Sequence, residues 1–189
     1  MTHTLQLVLI HNSNQSNGVD TALVQWITAV VQDRSEFALS VVEPFDLRFI
    51  DDFSEQPGRR VCLRALAAAD AYIVLVPARH LGYQHGLKVL MARWPEHLQG
   101  RPCSFVGYGT TTGGEDEVDE LRCELLKLQA MPVGGYVKFA EIAERLEQGF
   151  GLEHFAQARV SMAQLLIQLA WWARALKDAR AFSPLQKFA

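Results

Sequence analysis

Three apolar runs in this chain each end in a small polar loop that could hold part of a ligand. The first run, Leu5–Ile10, leads into residues 11–18; the runs over 71–76 and 103–107 lead into residues 77–83 and 108–114. In an open parallel sheet the carboxyl ends of neighbouring strands share one edge, and ligands bind in the crevice there. Three such loops together could hold a phosphate, one face of a flat ring and the polar edge of that ring. The pattern therefore predicts a mononucleotide site.

The first loop offers hydroxyl and amide groups that suit a phosphate monoester. Ser13, Gln15, Ser16 and Asn17 supply these groups, and Gly18 permits a tight turn into the next helix. The first turn of a helix has free N–H groups and the positive end of the helix dipole, which attract an anion. A polar helix cap without a ligand is the alternative, because Ser and Asn are favoured caps. The loop lacks the G-x-G-x-x-G pattern of a dinucleotide site.

The other two loops could bind the ring. Gly113 and Gly114 stand directly before a helix, where backbone N–H groups could donate to a carbonyl or to negative charge developing on a ring. A flexible turn is the alternative. In the second loop Arg79 is either a clamp for a cofactor phosphate or a solvated side chain. His80 and His85 have no third ligand beside them, so we predict no metal site.

No pairing of a nucleophile with a base stands out in the sequence. His11 and Ser13 are close only along the chain, and no G-x-S-x-G elbow is present. We therefore name no catalytic side chain. An enzyme built on this chain would need a cofactor to carry the chemistry.

Composition narrows the class of protein. The 189 residues are 49% hydrophobic and 21% charged, which is typical of one soluble globular domain. A net charge of −3 argues against nucleic-acid and anionic-membrane partners. Segment 160–176 is amphipathic rather than membrane-spanning. With no secretion signal and three cysteines that lack C-x-x-C spacing, we expect a cytoplasmic protein with reduced thiols.

Alternating strands and helices predict one α/β domain with a flavodoxin-like three-layer sandwich. Its five-stranded parallel sheet should have strand order 2-1-3-4-5. The predicted strands are residues 5–10, 38–42, 71–76, 103–108 and 133–139. The predicted helices are residues 21–31, 59–68, 87–98 (ended or kinked near Pro95), 116–129 and 153–180, and residues 49–58 are predicted to form a loop.

The chain resembles the NADPH-dependent FMN reductase family over roughly residues 5–180. That family combines a Gly-Ser-x-Arg phosphate loop with a Pro-Glu-Tyr-Asn loop and a Ser-Tyr-Gly…Gly-Gly loop. Here residues 77–83 read Pro-Ala-Arg-His-Leu-Gly-Tyr and residues 107–114 read Gly-Tyr-Gly-Thr-Thr-Thr-Gly-Gly. Residues 120–122, Glu-Leu-Arg, and 128–132, Leu-Gln-Ala-Met-Pro, are also close to the family pattern.

The chain departs from this pattern at two of the loops. Asn12 stands where the family has glycine, and Gln15 stands where it has the phosphate-binding arginine. Ala78, Arg79 and His80 replace Glu-Tyr-Asn, which removes ring packing and a hydrogen bond, each worth on the order of 1 kcal/mol. Backbone contacts to a flavin ring do not depend on these side chains.

The resemblance implies an FMN-dependent NAD(P)H oxidoreductase with ping-pong hydride transfer to a quinone, an azo compound or a second flavin. It implies that the first loop binds the phosphate, and that the ring lies against the other two loops. The cofactor-binding residues would be Ser13, Gln15, Ser16, Asn17, Pro77, Ala78, Arg79, His80, Leu81, Tyr108, Gly109, Gly113 and Gly114. The alternative is a flavodoxin-like binding or regulatory module that has lost FMN.

The resemblance also implies a homodimer or homotetramer. Trp171 and Trp172 are adjacent in a predicted helix, so they point about 100° apart and cannot both face the same core. Trp is enriched at protein interfaces. One of the two is therefore a candidate interface residue; covering the rim of its own domain is the alternative.

Overall fold

A five-stranded parallel sheet forms the centre of the protein. The computed structural model describes residues 4–11, 18–43, 57–78, 87, 88 and 90–183. The strands are β1 (Leu5–Ile10), β2 (Phe37–Val42), β3 (Ala71–Pro77), β4 (Pro102–Gly109) and β5 (Met131–Ala140). Their order in the sheet is β2-β1-β3-β4-β5, with every pairing parallel. The predicted fold class and strand order are confirmed.

Helices cover both faces of this sheet. They are α1 (Val19–Gln32), α2 (Pro57–Ala68), α3 (Pro95–Leu98), α4 (Glu115–Lys127), α5 (Ile142–Glu147) and α6 (Ala156–Phe182), with a short 3-10 helix at Leu152–His154. Helices α1, α5 and α6 share one core with the sheet, and α2, α4 and residues 87–98 share the other. Because β3 is covered on both faces, all seven of its residues are buried.

Most element ends lie within one or two residues of the prediction, and three differences have a clear physical reason. Strand β5 begins at Met131 and contains Pro132, which the sequence suggested as a break. Proline is tolerated there because β5 is an edge strand that pairs only with β4. The final helix begins at Ala156, after a separate 3-10 turn. The helix predicted over 87–98 is interrupted at Trp94, and Pro95 begins a new short helix.

A buried acidic residue, Asp70, anchors the long helix α6 at the amino ends of the strands. Asp70 is 4% exposed, and its carboxylate accepts from the Gln6 main-chain N–H at 2.9 Å and from Lys177 Nζ at 2.8 Å. Arg180 Nη2 lies 3.7 Å from the same carboxylate. Both cations belong to α6, so this cluster fixes the end of the long helix against the sheet. The role of this cluster is therefore structural.

The outward face of α6 carries an exposed, uncharged stripe. Residues 160–173 contain no Asp, Glu, Lys or Arg. On this stretch Val160, Ile167 and Trp171 are 52%, 58% and 61% exposed, and they follow one helical face. Trp172 instead packs against the core, and its ring meets that of Trp171 edge to face at 4.8 Å between centroids. The prediction that the two tryptophans do not both face the core is confirmed. Within the described ranges, no helix is long and apolar enough to cross a membrane.

Candidate functional site

The ends of β3 and β4 bring the second and third loops into contact. The Ala78 N–H donates to the Tyr108 carbonyl at 2.7 Å, which extends the strand pairing past Pro77. Gly109 lies against Ala78 so closely that a Cβ built on it would be 2.8 Å from the Ala78 Cβ. The described residues of these two loops therefore lie together, as the sequence predicted.

Glycines let the third loop fold down onto the end of the sheet. Gly113 and Gly114 have φ values of +59° and +78°, which side-chain-bearing residues rarely adopt. A Cβ on Gly114 would lie 3.1 Å from the Val76 carbonyl oxygen. The loop therefore begins α4 directly above the end of β3, and the absence of a side chain at Gly114 permits this close approach.

Only some of the backbone N–H groups of this loop are hydrogen-bonded within the protein. The Gly113 N–H donates to the Thr110 carbonyl at 2.8 Å, and the Ala78 N–H is taken by Tyr108. Among the residues described, the N–H groups of Thr111, Thr112 and Gly114 have no hydrogen-bond partner. These three groups are the loop's available donors for the polar edge of a ring. Thr111 and Thr112 were not among the predicted site residues.

A small, largely apolar cleft opens beside these loops. Its volume is about 250 Å³, part of it open to solvent. The cleft is lined by Val19, Pro77, Ala78, Tyr108, Gly109, Ile142 and Ala143. Ile142 and Ala143 belong to α5, a six-residue helix too short to show a periodic pattern in the sequence. The Glu141 N–H donates to the Gly109 carbonyl at 2.7 Å and fixes α5 at this edge.

A buried carboxylate links the end of β1 to the end of β4. Asp20, in the first turn of α1, is 3% exposed. One of its oxygens lies 2.9 Å from His11 Nδ1, and the other accepts from the Tyr108 hydroxyl at 3.0 Å. Tyr108 therefore lines the cleft, and its hydroxyl donates to Asp20. This network could not be predicted from sequence patterns, because its members are up to 97 residues apart.

Six of the thirteen predicted site residues lie together at this edge of the sheet. They are Pro77, Ala78, Tyr108, Gly109, Gly113 and Gly114. The other seven, namely Ser13, Gln15, Ser16, Asn17, Arg79, His80 and Leu81, lie outside the described residues, as does His85. The part of the chain that is described holds no group of three His, Cys, Asp or Glu residues suited to a metal ion.

The buried cysteine of the central sheet is not prepared for nucleophilic chemistry. Cys103, near the start of β4, is 1% exposed, and burial raises its pKa to about 12. A thiol with so high a pKa remains protonated at neutral pH, whereas a reactive cysteine needs thiolate character. It contributes to the core of the sheet.

Solved structures of flavin proteins share this fold. An NADH:FMN oxidoreductase in its apo form superimposes with a TM-score of 0.63 at 19% identity, covering 85% of this chain and 88% of that one. A WrbA-like flavodoxin from Agrobacterium tumefaciens gives 0.53 at 15% identity, with 92% and 99% covered. The flavodoxin of Megasphaera elsdenii gives 0.52 at 12% identity, with 88% and 97% covered. A comparison with curated proteins found no match.

The family comparison agrees with the resemblance noted from the loops. The model of the NADPH-dependent FMN reductases matches residues 5–144, which include β1 to β5 and all three loops. This match supports FMN as cofactor and oxidoreductase chemistry in general. The chain belongs to the NADPH-dependent FMN reductase family.

Proposed function

We propose that this protein is an FMN-dependent NAD(P)H oxidoreductase that reduces a quinone, an azo compound or a second flavin. The observation that carries the proposal is the family match across the residues that build the crevice. It is supported by the contact of Ala78 with Gly109, which brings the two ring-binding loops together.

The described residues fit a flavin ring mainly through their backbone. Pro77, Ala78 and Gly109 offer an apolar wall, and the N–H groups of Thr111, Thr112 and Gly114 can donate to the carbonyls of the ring. Arg79, His80 and Leu81 would complete the ring-binding loop. Ser13, Gln15, Ser16 and Asn17 would bind the phosphate at the start of α1.

Bound FMN would supply the redox chemistry, taking a hydride from NAD(P)H and passing it to the acceptor in a ping-pong cycle. The chain's part is to bind and orient the reactants and to exclude water from the apolar cleft. No acidic or basic side chain is needed for the hydride itself, so no catalytic residue is proposed.

A titration with two flavins tests this proposal. The fluorescence of FMN should be quenched when FMN binds the protein, at tens of micromolar or below. FAD should bind more weakly, because the first loop suits a terminal phosphate. Ser13→Asp should repel the phosphate, so FMN should lose much more affinity than riboflavin. Failure of FMN to bind, or a clear preference for FAD, would contradict the proposal. Equal losses for FMN and riboflavin would show that Ser13 is only a helix cap.

The second candidate is a flavodoxin-like binding or regulatory module that has lost FMN. One observation favours it: the buried Asp20 carboxylate already stands in the first turn of α1, where a phosphate would have to bind. An anion there opposes a second anion. The visible spectrum of the purified protein distinguishes the two, because only the oxidoreductase carries flavin absorbance or gains it with added FMN.

We also propose that the protein forms a homodimer through the exposed stripe of α6. This face is uncharged over 14 residues, and its three large side chains are more than half exposed. A two-fold axis across the stripe would pair it with itself without placing like charges together. Exposed large apolar side chains on an uncharged helix face favour an interaction site.

A further inference from the structure

Two side chains of β5 contact the third loop. The Tyr136 hydroxyl donates to the Thr112 carbonyl at 3.5 Å. The aliphatic part of Lys138 runs along Gly113, because a Cβ built on that glycine would lie 2.6 Å from the Lys138 Cγ and 3.2 Å from its Cε. A side chain at Gly113 would therefore collide with this lysine. The Lys138 ammonium, one bond beyond Cε, lies beside the loop.

This ammonium group stands among carboxylates. Its Nζ is 3.7 Å from Glu115 Oε2, in the first turn of α4, and Asp116 and Glu117 follow in the same turn. Carboxylates at this end of a helix stabilise it through the helix dipole. They also repel any negative charge that develops at the loop before the helix. Lys138, the one charged residue of β5, offsets this repulsion.

The other cations beside α4 are engaged further along the helix. Lys88 Nζ lies 3.5 Å from Glu120, and Arg122 Nε lies 3.6 Å from Asp119. Both pairs stand at least one helical turn beyond the start of α4. Of the cations in the described part of the chain, Lys138 is the one that these contacts place against the third loop.

The proposed reaction would bring negative charge to this loop. A hydride carries two electrons, so its transfer oxidises NAD(P)H to NAD(P)⁺ and leaves the flavin ring with one added negative charge. The N–H groups of Thr111, Thr112 and Gly114, which we propose bind the polar edge of the ring, would then face a more negative acceptor. A cation held against the same loop would stabilise the reduced ring more than the oxidised one.

We propose that Lys138 raises the reduction potential of bound FMN, because its charge acts across the third loop on the reduced ring, and that Glu115 moderates this effect. This role rests on the proposed function, since it concerns the flavin of that same site. Lys138 tunes the energy of the reduced ring and takes no part in transferring the hydride.

The midpoint potential of FMN bound to the full chain tests this role. Lys138→Met keeps the apolar stem of the side chain and removes its charge. We expect reduced FMN to lose roughly three- to tenfold more affinity than oxidised FMN, the size of one partly exposed charge. This ratio corresponds to a shift of about −15 to −30 mV, since a tenfold change for a two-electron couple equals about 30 mV. Lys138→Arg should retain the potential of the unaltered protein.

A substitution with the opposite effect separates electrostatics from structure. Glu115→Gln removes the carboxylate partner of Lys138, so the potential should rise. Lys127→Met is the matched control, because it also removes an exposed lysine paired with a carboxylate, Glu124, at 2.6 Å. Lys127 is at the far end of the 13-residue helix α4. That is about 20 Å from the loop along the helix axis, beyond the Debye length of about 8 Å, so the potential should not change.

The outcomes distinguish this role from the function on which it rests. If Lys138→Met weakens oxidised and reduced FMN equally, or if Lys127→Met shifts the potential as much, the role of Lys138 is overturned and the proposed function stands. If the unaltered protein binds no FMN, both fail together. If Lys138→Met does not fold, Glu115→Gln decides: a raised potential supports the role, and an unchanged potential contradicts it.

Discussion

The main-chain N–H of Ala78 donates to the carbonyl of Tyr108 across a distance of 2.7 Å. This bond continues the pairing of β3 with β4 one residue beyond Pro77, to the point where both strands turn into loops. The relative position of the two ring-binding loops is therefore set by the sheet. A site built in this way inherits the rigidity of two central strands.

Gly109→Ala should disrupt this junction. The φ of Gly109 is +128°, and an added Cβ would meet the Ala78 Cβ at 2.8 Å. We expect a loss of about 1–3 kcal/mol in the free energy of unfolding, together with weaker FMN binding. Urea unfolding and flavin titration measure the two effects.

Gly135→Ala is the matched control for this substitution. Gly135 lies in β5, and a Cβ added there would have no atom within 4 Å. We expect little change in stability or flavin affinity. A Gly109→Ala protein that behaves like this control would show that the two loops do not need their close approach.

Tyr72→Phe should destabilise the protein without affecting the site. The Tyr72 hydroxyl lies between the carbonyls of Leu66 and His97, at 2.8 and 2.6 Å, and its one proton bridges α2 to α3. Burial raises the Tyr72 pKa above its ordinary value, so the hydroxyl stays a donor. Its loss removes the bridge to the His97 carbonyl, while the Leu66 carbonyl keeps the Ala69 N–H at 3.3 Å. We expect a cost of about 1–3 kcal/mol in urea unfolding.

The control for this prediction is Tyr136→Phe. The Tyr136 hydroxyl is 3.5 Å from the Thr112 carbonyl at an exposed position, so we expect a change below about 0.5 kcal/mol. Equal losses for the two variants would mean that the Tyr72 bridge contributes no more than a surface contact.

Stability should fall as the solution becomes mildly acidic, in part through His97. Burial lowers the pKa of His97 from its ordinary value of 6.5, so the unfolded chain binds a proton more readily than the folded one. The contribution is present above pH 6.5 and is lost as the pH falls through the folded-state value. We expect His97→Gln to show a smaller loss of unfolding free energy between about pH 7.5 and 5.5. An unchanged loss would exclude His97 as its source.

Ile167→Glu should break the proposed dimer. The side chain lies in the middle of the uncharged stripe on α6 and is 58% exposed, so a charge there would be buried against its own copy. Sedimentation velocity should show a dimer for the unaltered protein and a monomer for the variant.

Val61→Glu supplies the control for self-association. Val61 is 65% exposed on α2, on the opposite face of the sheet, and should leave the dimer intact. A monomeric unaltered protein at micromolar concentration would remove the proposal. If both variants dissociate, the interface does not lie on α6.

The sequence predicted the sheet because its physical signals are local. Short apolar runs separated by helical periodicity mark each strand, and β3 reads as buried on both faces. Helix α5 was missed because six residues contain less than two full turns of pattern. Pro132 was predicted as a break because proline usually ends a strand. An edge strand tolerates it where the missing N–H would face no partner strand.

The sequence predicted only the part of the site that depends on where the parallel strands end. The junction of Ala78 with Gly109 follows from two parallel strands that end side by side. The Asp20 network could not be foreseen, since its contacts join β1, α1 and β4 through side-chain geometry. The free N–H groups of Thr111 and Thr112 depend on the turn at Thr110–Gly113, which the Thr-rich sequence alone does not define.

Anaerobic addition of NADPH or NADH to the FMN-loaded protein tests the central claim most directly. We predict that the visible absorbance of the oxidised flavin disappears within the time of an enzymatic turnover and returns when a quinone is added. A protein that binds FMN but leaves its absorbance unchanged with both nicotinamide cofactors would contradict the claim that it is an NAD(P)H oxidoreductase.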